Sequence, residues 1–530
     1  MHDSHLLLLH SFGTADNCLA SSAMLRAVMD SDHTVALPHY VSYSFSLPGP
    51  HFADLQNQLS GNESVWLRNG RGLIGLGSIA SIKAEGSERF STLRQGWLGW
   101  VSNTTHLYDP SAPWLEHTPG VGLTGFSAIT FDPRSAQQSV IAIPELVFGH
   151  RLADPEATGF SGAQANGNEP AANVRTWVSW LLERERFQDL TGLSVQALQD
   201  GAELTASAHE ILRQSALDAA QQLREQATPV EQSTGTNPVL ESGWISDEHF
   251  VRSVQTGLEY LSAGTAEKLV LSRDAVVRSE HALPVAQILD RLAQRYHQCW
   301  TYSVPGPGVT RLLGSTPEML IKSQSGYVSA RLLAGTLDRV GHDQDPNYPI
   351  DNLLKDQKQR IEHQFAIDSL TQELHGMVCD LAAPAEPFLL ELPNVWHLAS
   401  DVSARLTDEA RKSGCAIMDL VERVHPTAAV CGTPTPVAQD LIYQLEAYDR
   451  SWYAGPVGWL DHTGNGEFGI ALRGGILETA QQIRLYAGCG IVTGSDAENE
   501  LAETYAKLRP MLQALGLAES TTRSTLPRSR

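Results

Sequence analysis

The 530-residue chain has few cysteines and no long apolar run. Its six cysteines are scattered and form no CxxC pair, which excludes a disulfide framework and a cysteine zinc site. No segment approaches the roughly 18 consecutive apolar residues of a membrane helix. The short apolar run 6–9 lacks a basic leader and is too short for a signal peptide. We therefore expect a cytoplasmic protein with reduced thiols and no membrane association.

Basic residues are also scarce, with 38 Lys and Arg against 60 Asp and Glu and a formal net charge of −22. This balance argues against a nucleic-acid partner, because a phosphate backbone requires a basic face. The chain also lacks the GxGxxG and P-loop patterns of nucleotide sites and the HExxH pattern of zinc peptidases. An anionic substrate must therefore be held by a few local Lys or Arg side chains, or by a metal ion.

Runs rich in β-branched residues alternate with runs of helical spacing. Strands are predicted at 64–82, 126–133, 139–149, 268–277, 311–323 and 326–339, and as a meander over 452–492 with an Asn-Gly turn. Helices are predicted at 174–228, 283–296, 353–378 and 498–516. Hairpins of long strands beside long helices favour an α+β fold over a parallel doubly wound sheet. The polar segment 229–242 is predicted as a surface linker and 518–530 as a disordered tail.

The terminal helix carries the first candidate site. Glu500, Glu503 and Lys507 follow one face at i, i+3 and i+7, and two carboxylates near a helix N-terminus can hold a hard cation. The stretch 487–495 before it contains Gly488 and Gly490, which would let backbone N–H groups approach an anion. The alternatives are a solvated acidic helix face and a plain tight turn.

A second candidate pair can supply a base and an acid. Lys268 opens a predicted strand, and a desolvated lysine can act as a general base near neutral pH. Glu318 follows Pro317 at the end of a turn, where a carboxyl group can serve as the matching general acid. The alternative for Lys268 is an ordinary side chain that reaches the solvent.

The long helix at 353–378 carries Glu362, beside a stripe that Ile361 and Phe365 mark as buried. Glu362 can therefore point into a cleft, although a surface position is the ordinary alternative for a glutamate. Arg473 lies within the alternating run GIALRGG. An arginine there is either a carboxylate clamp or a salt-bridged structural residue.

Two histidines have polar active-site roles as one interpretation and satisfied buried positions as the other. His397 lies in NVWHLAS, and His425 lies in RVHPTAAVCGTP. The sequence leaves both interpretations open.

The order and wording of the motifs carry more information than any one of them. The motifs are KLVLSR, GSTPEML, LLAGT, RIEH, VWHLAS, HPTAAVCGTP, DRSWYAGPVGW, IALRGG and AGCGIV followed by ENELAETYAK. Together they resemble the chorismate-utilising enzymes, a family that includes isochorismate, salicylate, anthranilate and aminodeoxychorismate synthases. The resemblance covers about 247–516. It implies a large, mostly antiparallel two-sheet sandwich flanked by helices, with 247–517 as the chorismate-binding catalytic region and 1–246 as a divergent part that completes the fold.

The resemblance also assigns roles, with Mg²⁺ as the cofactor and chorismate as the substrate. Lys268 matches the base that activates water, and Glu318 matches the acid that protonates the departing hydroxyl group. The remaining matches are metal contacts at Glu362 and Glu503 with Glu500 nearby, and substrate contacts at Arg473, Lys507, Gly488, Gly490, His397, Ala334 and Thr336.

Two positions distinguish members of the family. Anthranilate synthases carry Gln where this chain has Lys268, which indicates water instead of ammonia as the nucleophile. Aminodeoxychorismate synthases carry a nucleophilic lysine where this chain has Ala334. Isochorismate synthase is therefore the leading hypothesis, with salicylate synthase, which also eliminates pyruvate, and an inactive chorismate-binding member as alternatives. The product can feed menaquinone or siderophore synthesis.

Two further expectations follow from the resemblance. A water-using member needs no glutaminase subunit, and we expect a monomer without nucleic-acid or membrane partners. Gln359 stands where relatives often have an acidic residue, which predicts an altered outer contact to Mg²⁺.

Overall fold

Both sheets of the protein contain strands from either side of residue 247. The computed structural model describes residues 39–47, 49, 51–152, 174–226, 238–339, 347–384, 386–391 and 395–517. The predicted tail 518–530, the apolar run 6–9 and most of the predicted linker lie outside these ranges.

The structure describes twelve helices within these ranges. They are α1 (His51–Gln56), α2 (Arg89–Ser102), α3 (Arg184–Thr191), α4 (Val195–Gln199), α5 (Ala206–Gln226), α6 (Asp247–Ser262), α7 (Val285–Arg295), α8 (Gln357–Leu374), α9 (Asp408–Arg411), α10 (Ala416–Val424), α11 (Thr435–Glu446) and α12 (Ala497–Ala514). A 3₁₀ turn, Pro113–His117, and a π-helical turn, Ile350–Leu354, add to these. None of these helices combines the length and apolar character that crossing a bilayer requires.

The strands that the structure describes contain 2 to 12 residues each. They are β1 (Tyr40–Ser46), β2 (Ser64–Arg68), β3 (Arg71–Leu76), β4 (Ala80–Ala84), β5 (Thr104–Tyr108), β6 (Thr124–Ala128), β7 (Ser139–Ile143), β8 (Leu146–Leu152), β9 (Val174–Glu183), β10 (Val239–Ser242), β11 (Lys268–Arg278), β12 (Trp300–Pro305), β13 (Arg311–Thr316), β14 (Met319–Gln324), β15 (Tyr327–Asp338), β16 (Val378–Ala382), β17 (Phe388–Glu391), β18 (Val395–Leu406), β19 (Gly432–Thr433), β20 (Pro456–Asp461), β21 (Gly466–Ile470), β22 (Gly474–Thr479) and β23 (Gln482–Ile491).

Within the described ranges these strands form two sheets. The first sheet has 13 strands in the order β10-β11-β23-β22-β13-β12-β2-β3-β8-β9-β1-β5, with β19 beside β11. The second has 10 strands in the order β16-β18-β15-β14-β21-β20-β6-β7-β4, with β17 beside β18. Strand β1 pairs with β5 in parallel, and the remaining named pairs of described strands are antiparallel. The predicted α+β sandwich is confirmed.

Alternation along the strands divides the core between two layers. In β2, Val65 and Leu67 belong to an apolar cluster that also contains Leu292 of α7 and Leu512 of α12. Trp66, between them, belongs to the cluster that fills the space between the sheets. Successive side chains of a strand point to opposite faces, so the first sheet is buried on both sides.

Among the sequence predictions about local structure, those for residues 174–183 and for the buried face of α8 are wrong. Residues 174–183 were predicted as helix but form β9, because the alternation in VRTWVSWLLE lets Trp177 and Trp180 fill different core layers. Ile361 and Phe365 of α8 were predicted as buried but are 58% and 55% exposed. The buried face of α8 is formed instead by Ala366, Ile367, Leu370 and Leu374.

The predicted strand runs 311–323 and 467–478 are each divided between the two sheets. Strand β13 lies in the first sheet and β14 in the second, so the chain crosses between the sheets at Pro317 and Glu318. Strand β21 lies in the second sheet and β22 in the first, so the chain crosses back at 471–473. Arg473 therefore lies at a bend between two strands. The prediction that it lies inside one strand is wrong.

A buried ion pair joins the first sheet to the turn after α11. Arg450 donates from Nε to Oε2 of Glu446 at 2.8 Å, and both side chains are almost fully buried. Glu446 also accepts from the backbone N–H of Ser272 in β11 at 2.6 Å. Arg450 donates to the carbonyl oxygens of Val270 at 2.7 Å and Val430 at 2.9 Å. Every charge in this group has several partners, as buried charges require.

We predict that Arg450→Met lowers the free energy of unfolding by about 3–5 kcal/mol, because it leaves the Glu446 carboxylate buried without its cation. Lys355→Met is the matched control, since Lys355 and Asp351 form an exposed pair with the same i,i+4 spacing. An exposed pair contributes less than about 1 kcal/mol. Denaturant unfolding at pH 7 measures both changes, and equal losses for the two variants would contradict the prediction.

Candidate active site

A cavity of about 240 Å³ lies where the two crossings meet the last strand and the last helix of the chain. We call it the site cavity. Nine of the twelve predicted site residues line it: Lys268, Glu318, His397, Arg473, Gly488, Gly490, Glu500, Glu503 and Lys507.

The other three predicted residues lie on elements that border the cavity. The backbones of Ala334 and Thr336 belong to β15, where a bulge places Gly335 on the cavity wall. Glu362 belongs to α8, whose first turn contributes Gln359 to the wall. The side chains of Ala334, Thr336 and Glu362 lie outside the described part of the structure.

The two crossings run side by side, which brings Glu318 and Arg473 into the same cavity. The backbone N–H of Ser315 donates to the carbonyl oxygen of Arg473 at 3.2 Å. The backbone N–H of Ile470 donates to the carbonyl oxygen of Glu318 at 3.1 Å. Arg473 adopts a left-handed φ of 51°, which is uncommon for a residue other than glycine and is often found at functional sites.

Glu318 is a carboxyl group held in a buried, cationic environment. Burial raises its pKa to about 7, although the charges of Lys268, Lys507 and Arg473 each oppose the rise. The raised pKa favours the protonated carboxyl group, which is the state that a general acid needs.

Lys268 enters the cavity from the first residue of β11, next to the strand that carries the glycines. A Cβ atom added to Gly490 would lie 3.1 Å from Cε of Lys268. A Cβ atom added to Gly488 would lie 3.1 Å from the hydroxyl oxygen of Tyr453. Both glycines lie within β23 and not in a loop, so their missing side chains leave room for the groups that face the cavity.

The last helix presents the predicted acidic and basic side chains to the cavity. Asp496 caps it by accepting from the backbone N–H of Asn499 at 3.0 Å. Lys507 forms an ion pair with Glu503 at 2.6 Å and donates to the carbonyl oxygen of Gly488 at 2.9 Å. The helix is therefore joined to β23 at the level of the cavity.

The residues present fit a divalent cation. Burial raises the pKa of Glu500, and the charge of Glu503 raises it further. One carboxylate oxygen of Glu500, Oε2, is buried without a hydrogen-bond partner, and so is Oε1 of Gln359. Both unpaired atoms are oxygen acceptors in one cavity, which is the donor set that Mg²⁺ prefers. Within the described side chains no three His, Cys, Asp or Glu residues form a metal site.

His397 contributes a neutral imidazole. Burial lowers its pKa to about 3, and the charges of Arg473 and Lys507 lower it further. Its Nδ1 lies 3.2 Å from the carbonyl oxygen of Gly335, which assigns the proton to Nδ1. His425 is also buried, but it does not line the cavity, and its Nε2 lies 3.1 Å from the carbonyl oxygen of Ala454. His425 is therefore a buried histidine with a hydrogen-bond partner and not a residue of the cavity wall.

Several cavity residues were not singled out in the sequence, among them Arg450, Tyr453 and Tyr486. Arg450 and Tyr453 lie in the quoted motif DRSWYAGPVGW, and Tyr486 precedes the glycines of β23. The rings of Tyr453 and Tyr486 stack at 5.1 Å. The left-handed residues Ser451 and Ala454, with φ of 56° and 61°, shape the turn that holds Tyr453. Neither spacing nor composition distinguishes these aromatic residues from ordinary core residues.

Comparison with known proteins identifies the family of the chain. The chorismate binding enzyme family profile matches residues 178–516. Isochorismate synthase MenF of Bacillus subtilis (strain 168) is 27% identical over 449 residues, or 84% of this chain and 85% of the relative. Isochorismate synthase DhbC of the same organism is 34% identical over 277 residues, or 51% of this chain and 68% of the relative.

The fold is shared with a solved structure at low sequence identity. MenF, the menaquinone-specific isochorismate synthase from Escherichia coli, superimposes with a TM-score of 0.63 at 20% identity, over 94% of this chain and 99% of that one. The family profile covers more than half of this chain. The chain belongs to the chorismate binding enzyme family.

Proposed function

We propose that this protein is a magnesium-dependent isochorismate synthase, which converts chorismate reversibly to isochorismate. The observation that carries the proposal is that Lys268 and Glu318 line one cavity in which the carboxyl group has a pKa of about 7. A base and an acid in one site are what water addition coupled to hydroxyl loss requires. The relatives named above are isochorismate synthases, which supports the same reaction.

The proposed reaction balances without a redox partner. Lys268 takes a proton from water as the water oxygen forms a bond to C2 of chorismate. The ring double bonds shift, the C4–oxygen bond breaks, and Glu318 gives its proton to the departing hydroxyl group, which leaves as water. Because water is the nucleophile, no subunit that supplies ammonia is needed.

The remaining cavity residues bind and orient the dianionic substrate. Arg473 and Lys507 are cations on the wall of the cavity and are suited to carboxylates. Glu500, Glu503 and Glu362 would hold Mg²⁺, which when bound supplies positive charge for a substrate carboxylate. Neutral His397 can accept or donate a hydrogen bond without adding charge.

Product analysis tests the reaction itself. Incubation of the protein with chorismate and Mg²⁺ should give isochorismate at equilibrium with chorismate. Salicylate and pyruvate in equal amounts would identify a salicylate synthase instead. Chorismate binding without turnover would identify an inactive binding member of the family.

Lys268→Ala should abolish turnover and leave chorismate binding largely intact, because it removes the base and keeps the groups that bind carboxylates. Steady-state kinetics and calorimetric titration with chorismate measure the two effects. Lys355→Ala, at an exposed lysine far along the chain, should change neither. A Lys268→Ala rate within about tenfold of the parent rate would reject Lys268 as the base.

Glu318 predicts a dependence of both rate and stability on pH. Its folded-state pKa of about 7 lies above the ordinary 4.5, so its contribution to stability is complete below pH 4.5 and is lost as the pH rises through 7. The forward rate should fall over the same upper range, because the acid loses its proton. Glu318→Gln should lack activity, and its stability relative to the parent should rise by about 3 kcal/mol between pH 4 and pH 8. Equal pH profiles of unfolding for the two proteins would contradict this assignment.

Glu503→Gln should weaken Mg²⁺ binding, because it removes one negative charge from the cavity wall. Titration calorimetry with Mg²⁺ alone, without chorismate, measures the change. Glu498→Gln is the matched control, since Glu498 is exposed on the same helix one turn earlier. If both variants bind Mg²⁺ as the parent does, Glu503 is not a ligand.

A further inference from the structure

A second cavity, of about 390 Å³, opens between the two sheets and shares no lining residue with the site cavity. Strands β2, β3, β8, β9 and β12 of the first sheet form one wall, and β14 and β21 of the second sheet form the other. We call it the arginine pocket, because its described wall contains five cationic side chains: Arg68, Arg71, Arg151, Arg175 and Lys322.

The positive charge of the pocket is not balanced by its described walls. Glu467 is the one carboxylate among the lining residues that the structure describes. Among the lining residues that the structure describes, cations outnumber carboxylates by five to one. This excess stands out in a chain whose net charge is −22, and it cannot be a general property of the surface.

Glu467 is already fully engaged. It forms ion pairs with Arg151 at 3.2 Å and Lys322 at 3.5 Å. It also accepts from Nε1 of Trp66 at 2.8 Å and from Nε2 of Gln324 at 2.9 Å. Burial pushes the pKa of Glu467 upward, but the charges of Arg151 and Lys322 outweigh burial and hold that pKa at about 2. No capacity of this carboxylate remains for the other arginines.

Arg68 and Arg151 lie against aromatic rings, and Lys322 is largely buried. Arg68 lies over the ring of Trp300 at 4.2 Å and donates from Nε to the carbonyl oxygen of Gln298 at 2.8 Å. Burial lowers the pKa of Lys322. Arg151 lies over the ring of Trp459 at 4.6 Å, and its Nε is buried without a hydrogen-bond partner. Buried cations in excess of their counterions are unfavourable, and a buried unpaired donor loses a hydrogen bond to water.

Both observations identify the same missing group. An unpaired N–H donor requires an acceptor, and an excess of positive charge requires an anion. Arginine binds carboxylate and phosphate groups through two parallel hydrogen bonds. Arg175 lies at the rim, donates to Oγ1 of Thr118 at 3.3 Å and remains partly exposed, so a ligand can reach it from solvent.

We propose that the arginine pocket binds a small metabolite with at least two negative charges, carried by carboxylate or phosphate groups. The pocket volume of about 390 Å³ suits a small molecule and not a peptide or nucleic acid. The arginine pocket is separate from the site cavity. The proposal that it binds an anion does not depend on the proposed isochorismate synthase reaction.

Two probes test the proposal with the full-length protein: inorganic phosphate and malonate, a dicarboxylate. Each is titrated by calorimetry, with sodium chloride added to hold the ionic strength constant. At least one probe should bind saturably and raise the thermal midpoint of unfolding. The probe that binds more tightly identifies the class of anionic group.

Three variants locate the binding. Arg175→Gln should weaken the preferred probe at least about tenfold, because it removes a charge-assisted pair of hydrogen bonds. Arg71→Gln, at the same pocket, should weaken it as well. Arg405→Gln is the matched control, since Arg405 is an exposed arginine that lies over the ring of Tyr327 at 4.6 Å, and it should leave binding unchanged.

The site cavity is the competing location, because it also contains cations. Lys507→Met should leave binding of the probe unchanged if the arginine pocket is the site. The proposal is overturned if neither probe binds saturably, if Arg175→Gln and Arg71→Gln both bind normally, or if Lys507→Met is the variant that loses binding. These readouts do not involve turnover, so they are independent of whether the protein is an isochorismate synthase.

Discussion

The close approach of the two sheet crossings is the constraint on which the site depends. Strands β13 and β22 pair through Gly314 and Gly474, and a Cβ atom added to Gly314 would lie 2.6 Å from Cα of Gly474. The hydroxyl group of Tyr302 donates to the carbonyl oxygen of Leu472 at 3.0 Å, and this hydrogen bond holds the crossing at 471–473 in place. Only glycine permits this spacing, and this spacing brings Glu318 and Arg473 to the same cavity.

Burial explains why two groups of the site have unusual proton affinities. Glu318 is buried at the first crossing, and His397 is buried within strand β18. Burial raises the pKa of the carboxyl group and lowers that of the imidazole, as loss of hydration disfavours the charged form of each. The nearby cations lower the pKa of both groups. They therefore oppose the effect of burial on Glu318 and add to the effect of burial on His397. The fold therefore provides one group that titrates near pH 7 and one that stays neutral.

The sequence predicts the types of element better than their partners. Strand β11, helix α12 and the Asn-Gly hairpin between β20 and β21 follow from periodicity and turn residues alone. The crossings do not, because a run such as GIALRGG has one uninterrupted alternation whether its halves join one sheet or two. The strand at Val174–Glu183 was missed for a related reason: its sheet neighbours, β8 and β1, supply the packing that decides between strand and helix.

The sequence grouped residues whose identity carries chemistry, and it missed residues that matter through shape. Lys268, Glu318, Glu503 and Lys507 were singled out because charged side chains in ordered motifs are rare enough to be informative, and all four line the site cavity. Tyr453 was missed because an aromatic residue beside glycines is ordinary in a core. The exposure of Ile361 and Phe365 was also missed, since the spacing of apolar residues on α8 does not reveal which face meets the sheet.

The site cavity and the arginine pocket differ in the kind of atom that is left without a partner. The site cavity has unpaired acceptors at Glu500 and Gln359, whereas the arginine pocket has an unpaired donor at Arg151. The first cavity is therefore suited to a cation and the second to an anion. A net charge of −22 would repel anions from the surface, but at physiological ionic strength this repulsion is screened beyond about 8 Å. An anion in the arginine pocket therefore interacts mainly with the charges that line the pocket. The space between two sheets is where an acidic chain can hold arginines close together at fixed positions.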